Sequence, residues 1–227
     1  MQTLTCSAIL FDLDGVLVDS TACVERHWRM WAARHGLDSE HILSISHGKR
    51  TIDTLRAVAS HLDLDLEAEA RRLEEEEARD LEGIVAVPGA IALVSALLPN
   101  HWAIVTSATR AMATARLRAT GIPIPRAFIT AEQVGQGKPH PEGYLKAAAL
   151  LGVAPQDCLV IEDAPPGLQA ARAGGIRVLG LTTTFPEEKL FEADLLASDL
   201  RDVHLAALSN GNYLTLRIST NDAKRLP

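Results

Sequence analysis

Aromatic residues fill only 4% of the 227 positions, and no block of basic residues occurs anywhere in the chain. Base stacking needs the first and phosphate-backbone binding the second, so nucleic acid is excluded as a partner. A formal charge of −7, from 29 acids against 22 bases, argues the same way. No apolar run approaches the roughly 20 residues that cross a bilayer. The N-terminus has no basic stretch followed by an apolar core and a cleavage site, so no membrane contact and a cytoplasmic location are expected. Cysteine is scarce: Cys6, Cys23 and Cys158 lie far apart, odd in number and without metal-ligand spacing. That excludes a disulfide framework or a thiolate metal cage and leaves core thiols in a reducing compartment.

What is present is 47% hydrophobic residues, enough for a full core in one large domain or a domain carrying an insert. The stretch "AILFDLDGVLVDS", residues 8–20, is an apolar strand that runs into two carboxylates one residue apart. Helical spacing follows: Val24, Trp28, Trp31 and His35 form one stripe that Gly36 would end, and Ile52, Leu55, Ala59 and Leu62 form another. The segment "LEAEARRLEEEEARDLEG" is a charged helix whose acidic run is expected to be a solvated face. After Pro88-Gly89 the pattern changes. "HWAIVTS", "AFIT", "CLVIED" and "IRVLGL" are strands, alternating with helices near 89–98, 110–120, 141–151 and 165–173, which implies a parallel sheet. The expected fold is therefore α/β, a core from residues 1–18 and 86–227 with a helical insert at 19–85. Asn210-Gly211 is a turn signal in a tail that would add a hairpin or end strand.

Ligands of open parallel sheets bind beyond the carboxyl ends of the strands. The residues there are Asp12 and Asp14, Thr106 and Ser107, Lys138, and Glu162 with Asp163. Taken singly, each has an ordinary explanation: Asp14-Gly15 as a turn, Ser107 or Asp163 as a helix N-cap, Lys138 as a solvated loop residue. Together they are harder to explain away. Clustered carboxylates at one sheet edge repel one another and are costly to desolvate unless a cation compensates. Oxygen ligands without a His or Cys set point to Mg²⁺, which takes one or two carboxylates plus phosphate oxygens. One carboxylate could attack while the other manages a proton, with the lysine and the serine holding phosphoryl oxygens.

"FDLDGVLVDS", "IVTSATR", "GKPHPEGY" and "VIEDAPPG" resemble, in order and separation, the four motifs of the haloacid dehalogenase-like hydrolases. The resemblance spans nearly the whole chain and implies a Rossmann-like core with a small helical cap inserted after the first strand. Within that family "ISHGKRTID" and "FITAEQVGQGKPHPEGYLK" are similar to bacterial sugar phosphatases and to yeast glycerol-3-phosphatase and 2-deoxyglucose-6-phosphatase. It implies Asp12 as nucleophile and Asp14 as the acid that protonates the leaving alcohol and then activates water. Ser107 and the amide of Ala108 would hold phosphoryl oxygens and Lys138 would neutralise charge. Mg²⁺ would be held by Asp12, the carbonyl of Asp14 and Asp163, with Glu162 beside them. The cap loop His47-Gly48-Lys49-Arg50 would select the substrate, a small phosphorylated sugar or polyol, although it also fits an exposed turn. His140 and Glu142 have weaker claims, and Trp28 and Trp31 fit cap packing better than sugar stacking.

Two relatives are disfavoured: dehalogenases lack the second aspartate, and Val24 stands where β-phosphoglucomutases carry a histidine. A mutase or a silent phosphosugar-binding protein stay as alternatives to a Mg²⁺-dependent phosphatase, acting as a monomer or weak homo-oligomer. Hinges are expected near Val16–Ser20 and Glu82–Val87.

Overall fold

The computed structural model describes residues 1–209 and 213–219. In chain order the strands and α-helices are β1 (Gln2–Cys6), β2 (Ala8–Phe11), β3 (Val18–Asp19), α1 (Thr21–His35), α2 (Ser39–Ser46), α3 (Thr51–Ala59), α4 (Leu66–Arg79), β4 (Val85–Ala86), α5 (Ala90–Ala96), β5 (Trp102–Val105), α6 (Arg110–Thr120), β6 (Ala127–Ile129), α7 (Glu142–Leu151), β7 (Cys158–Glu162), α8 (Pro165–Ala173), β8 (Arg177–Leu181), β9 (Leu195–Ala197), β10 (Val203–Ser209) and β11 (Tyr213–Ile218).

Six strands form one parallel sheet in the order β6-β5-β2-β7-β8-β9. Every residue of β2 is buried, as a parallel strand covered on both faces requires, and this is why the sequence there is an unbroken apolar run. Phe11 is in register with Ile104 of β5 and Ile161 of β7. The carboxyl ends of the three strands are therefore level, and Asp12, Thr106 and Glu162 emerge side by side. From β2 the chain builds outward through β5 to β6, then returns to the other side for β7, β8 and β9. The crevice at that reversal is where doubly wound sheets bind ligands. One face of the sheet packs on α5 and α6 through Leu93, Val94, Met112 and Leu117. The other packs on α7 and α8 through Tyr144, Ala147, Leu168 and Ala171.

Helices α1 to α4 have their own buried cluster, including Trp28, Trp31, Ile42, Leu55 and Leu73. Gly36 ends α1 at φ 67°, a left-handed turn that suits glycine. Asp38 and Asp65 cap α2 and α4 by accepting from backbone amides one turn in. The two strands of chain leading into and out of these helices, β3 and β4, pair with each other antiparallel.

Three expectations need revision. The strand at Ala8 is not the first: β1 precedes it and lies in a separate antiparallel sheet, order β1-β11-β10. The tail thus contributes an antiparallel pair to that second sheet, while Asn210-Gly211 itself lies outside the described residues. The sixth strand of the parallel sheet, β9, is not among the expected strands: it is apolar but only three residues long, Leu-Leu-Ala, too short to show a strand period. Finally, the acidic run of α4 is not a uniformly solvated face. Glu75 is exposed, but Glu77 is buried and faces inward against Arg116.

Candidate active site

Lys138 Nζ lies 2.6 Å from Asp12 Oδ1 and 2.6 Å from Glu162 Oε1. All three side chains are buried. Glu162 is saturated: Oε1 also accepts from the Tyr144 hydroxyl at 2.9 Å, and Oε2 accepts from the backbone amides of Asp163 and Ala164 at 2.9 and 3.1 Å. It braces the lysine and the turn after β7. The brace fits against Gly167, where a Cβ would stand 1.6 Å from Glu162 Oε1.

Asp163 differs. It is buried, its Oδ1 has no hydrogen-bond partner, and its carboxyl is pushed well above the usual range by burial and by Glu162 and Asp12, with a hydrogen bond to Thr184 opposing. Asp12 is pushed up to about 7, first by burial, against the pull of Lys138 and with the charges of Glu162 and Asp14 adding. Lys138 is held charged above its ordinary value because its two carboxylate partners outweigh its burial. Oxygens of Asp12, Glu162 and Asp163 lie within 4.8 Å of one another. Three carboxylates against one ammonium leave a formal charge of −2 and an unpartnered oxygen. A divalent hard cation is the complement of that donor set.

Asp14 stands apart from this cluster. Its Oδ1 accepts from Ser20 Oγ at 2.7 Å and from Arg116 Nη1 at 2.8 Å. Gly15 follows at φ 82°, where a Cβ would meet Asp163 Oδ2 at 2.0 Å. Only glycine lets the loop pass that closely.

A cavity above these groups is lined by Asp12, Asp14, Thr106, Ser107, Ala108 and Asp163 from the sheet side, and by Val24, Trp28, His47, Gly48, Lys49 and Glu77 from the helices. Of the ordinary explanations for the single residues only the turn at Asp14-Gly15 holds, with the Val16 amide donating to the Leu13 carbonyl across it at 3.4 Å; the others do not apply. Thr109, not Ser107, caps α6; Ala164, not Asp163, precedes α8; and Lys138 is buried. Ser107 Oγ instead donates to the Gly48 carbonyl at 2.8 Å, and the Ala108 amide donates to Thr106 Oγ1 at 3.0 Å. The loop after α2 thus rests directly on the sheet edge.

Within that loop the four residues separate. His47 is C-terminal to α2 and packs edge-on against Phe185, with ring centroids 5.9 Å apart, and burial lowers its imidazole's affinity for protons. Gly48 and Lys49 line the cavity. Arg50 does not: it forks onto Asp53 at 2.6 and 3.0 Å and donates to the Val134 carbonyl at 3.3 Å. It clasps the helices to the lysine-bearing loop. Glu142 braces that loop from the other side, accepting from the amides of Gly135 and Gln136. Trp28 both packs against Trp31 and lines the cavity. Tyr144, Thr184, Glu77 and Arg116 were not legible as site residues. For Arg116 a signal existed: it shares the buried stripe of α6 with Met112, Ala113 and Leu117, and a cation on an apolar stripe needs partners.

The model of the haloacid dehalogenase-like hydrolase family matches residues 6–175. The chain belongs to that family. It is 46% identical over 214 residues to hexitol phosphatase A of Escherichia coli strain K12, covering 92% of this chain and 98% of that protein. It is 40% identical over 202 residues to glycerol-1-phosphate phosphohydrolase 2 of Saccharomyces cerevisiae, covering 84% and 80%. Among solved structures, a hydrolase from Pseudomonas syringae superimposes with a TM-score of 0.76 at 28% identity, covering 86% of this chain and 94% of that one. Membership of the family and the parallel-sheet architecture both agree with the four motifs. No helix among the described residues is long and apolar enough to cross a membrane.

Proposed function

We propose that this protein is a Mg²⁺-dependent phosphatase of small phosphorylated sugars or polyols. The observation that carries the reading is the cluster Asp12–Lys138–Glu162 with the unpartnered oxygen of Asp163 beside it, Asp12 and Asp163 lining a cavity while Lys138 and Glu162 back them from beneath. The similarity to a hexitol phosphatase and a glycerol-1-phosphate phosphohydrolase supports the substrate class.

Asp12 is the nucleophile, fixed by the strand end and by the ammonium of Lys138. Its carboxylate attacks phosphorus and the bond to the leaving alkoxide breaks, while Asp14 gives that oxygen a proton. Asp14 then takes a proton from water, which attacks the aspartyl-phosphate and returns Asp12. Ser107 and the amide of Ala108 turn from their present partners, Gly48 and Thr106, to the phosphoryl oxygens. Asp12, Asp163 and the carbonyl of Asp14 would hold Mg²⁺, which supplies charge neutralisation for the transferring group. Glu162, with its oxygens committed to four donors, positions Lys138. The helices α1 to α4 act as a cap that excludes water during transfer and must move to admit it, with β3 and β4 as hinge.

Val24 lines the cavity where a mutase would need an acid–base group, so hydrolysis is favoured over intramolecular transfer. Phosphate release measured with Mg²⁺ over hexitol, glycerol, hexose and nucleotide monophosphates tests the reading. Preference for the polyol and sugar esters is expected. Preference for nucleotides would overturn the substrate class, and a sugar 1-phosphate converted to its 6-phosphate without phosphate release would establish a mutase.

A further inference from the structure

Arg116 sits on α6 and is buried. One arm of its guanidinium, Nη1, donates to Asp14 Oδ1 at 2.8 Å; the other, Nη2, donates to Glu77 Oε2 at 2.8 Å. Glu77 belongs to α4, on the helical side of the cavity, and is itself buried. Glu77, Arg116 and Asp14 all line the cavity in which the leaving group would lie. Ser20 Oγ donates to the same Asp14 oxygen, so Oδ1 is pinned from two directions and Oδ2 is left as the working atom.

Buried ion pairs contribute little stability compared with well-packed apolar groups, so this triad is better explained by what it orients. The planar fork of a guanidinium, unlike an ammonium, fixes the angle between its two partners. Asp14 is a half-buried carboxylate on a loop at the cavity wall, and its aim depends on that fork together with Ser20. The fork has both partners only while α4 is seated against α6.

We propose that Arg116 is a positioning residue that aims Asp14 at the leaving-group oxygen, with Glu77 making this aim depend on seating of the helical cap. The inference rests on the reading of Asp14 as proton donor. It assigns Arg116 no contact with the phosphoryl group. Loss of Arg116 therefore slows the transfer that needs a proton and spares the transfer that does not.

The test compares two esters under single-turnover conditions with Mg²⁺. A hexitol phosphate releases an alkoxide that must be protonated, while p-nitrophenyl phosphate releases a stable phenolate. In Arg116→Met the first transfer from the hexitol ester is expected to slow about 10²-fold, and nitrophenolate release to stay within about threefold of the parent, inside the scatter of ordinary context effects. Steady-state KM for the hexitol ester stays nearly unchanged while kcat falls. Arg116→Lys restores part of the rate by recovering the Asp14 contact without the fork. Glu77→Gln, which can still accept from Nη2, gives the same selectivity at smaller size and carries the test if Arg116→Met does not fold. Equal slowing of both esters, or a rise in KM with kcat intact, overturns the inference. Asp14→Asn is the control for the underlying reading: if it does not slow the hexitol ester selectively, the role of Asp14 fails on its own account, whatever Arg116 does.

Discussion

Lys138 and Asp12 are 126 residues apart in sequence and 2.6 Å apart in space. Because Lys138 also holds Glu162, removing the charge of Asp12 leaves the ammonium paired and relieves repulsion within the cluster. Asp12→Asn is therefore expected to fold with an unchanged or higher Tm and to lose at least about 10³-fold of its phosphate release, since an amide is no nucleophile here. A folded Asp12→Asn protein with parental turnover would exclude the aspartyl-phosphate route.

The unpartnered Oδ1 of Asp163 predicts a cation-dependent stability. A ligand at 100 times its Kd stabilises the native state by about 2.7 kcal/mol, which for a chain of this size is about 5–10 °C in Tm. Saturating Mg²⁺ should give such a rise in a thermal melt, EDTA should reverse it, and Asp163→Asn should lack most of it. An equal rise in the variant would move the cation elsewhere.

The site was legible where carboxylates terminate apolar runs. Asp12 and Asp163 stand out because acids at the ends of neighbouring buried parallel strands repel one another unless a cation compensates, and Lys138 because a loop between a strand and a helix brings it to the same edge. Glu77 and Arg116 were hidden by the opposite circumstance. An acid within an acidic helix and an arginine within a basic one look solvated until packing shows which turn faces inward. The direction of Arg50 is likewise tertiary, since its partners Val134 and Gly135 belong to a loop over 80 residues away. The strand β1 escaped notice because its pairing partner, β11, lies at the other end of the chain.

Lys49 and Arg50 adjoin in sequence but face different surroundings. Lys49 lines the cavity, while Arg50 is spent on Asp53 and on loop carbonyls. Lys49→Met should raise KM for a sugar phosphate about tenfold with kcat little changed, the loss of about one charge-assisted hydrogen bond. Arg50→Met should instead lower kcat, because it unfastens the cap from the loop that carries Lys138. Steady-state kinetics separate the two, and a KM effect confined to Arg50 would reverse the assignment.

Glu74 on α4 is pushed up to about 7 from an ordinary 4.5, first by burial, with Glu132 and Glu77 adding and a hydrogen bond from Thr51 opposing. A carboxyl with a higher value folded than unfolded binds more protons when folded. Its favourable contribution is full below about pH 4.5 and is lost as the pH rises to about 7. Glu74→Gln removes that loss. Its Tm relative to the parent should climb by about 2 °C or more between pH 5 and pH 8, and a difference that is flat with pH would mean that Glu74 is as well solvated folded as unfolded.

Gly167, in the first turn of α8, leaves room for the Glu162 side chain, and its requirement is spatial, since its φ is not left-handed. A methyl group there would occupy the place of Glu162 Oε1. Either Glu162 rotates, freeing Lys138, Tyr144 and two backbone amides, or α8 shifts away from β7. Overpacking of this kind costs about 1–3 kcal/mol, or about 3–10 °C in Tm. The two responses differ in their effect on chemistry. Rotation of Glu162 would lower kcat by more than the fraction of protein unfolded accounts for, whereas a helix shift would leave the specific activity of the folded protein intact. Since Glu162 is held by four buried hydrogen bonds, whereas α8 is held by apolar contacts and by the exposed bonds of Gln169 and Arg172 to Glu192, Gly167→Ala is expected to lose stability first and to keep most of its kcat below the melting range. A large loss of kcat at full folding would show that the brace, rather than the helix, is the softer element.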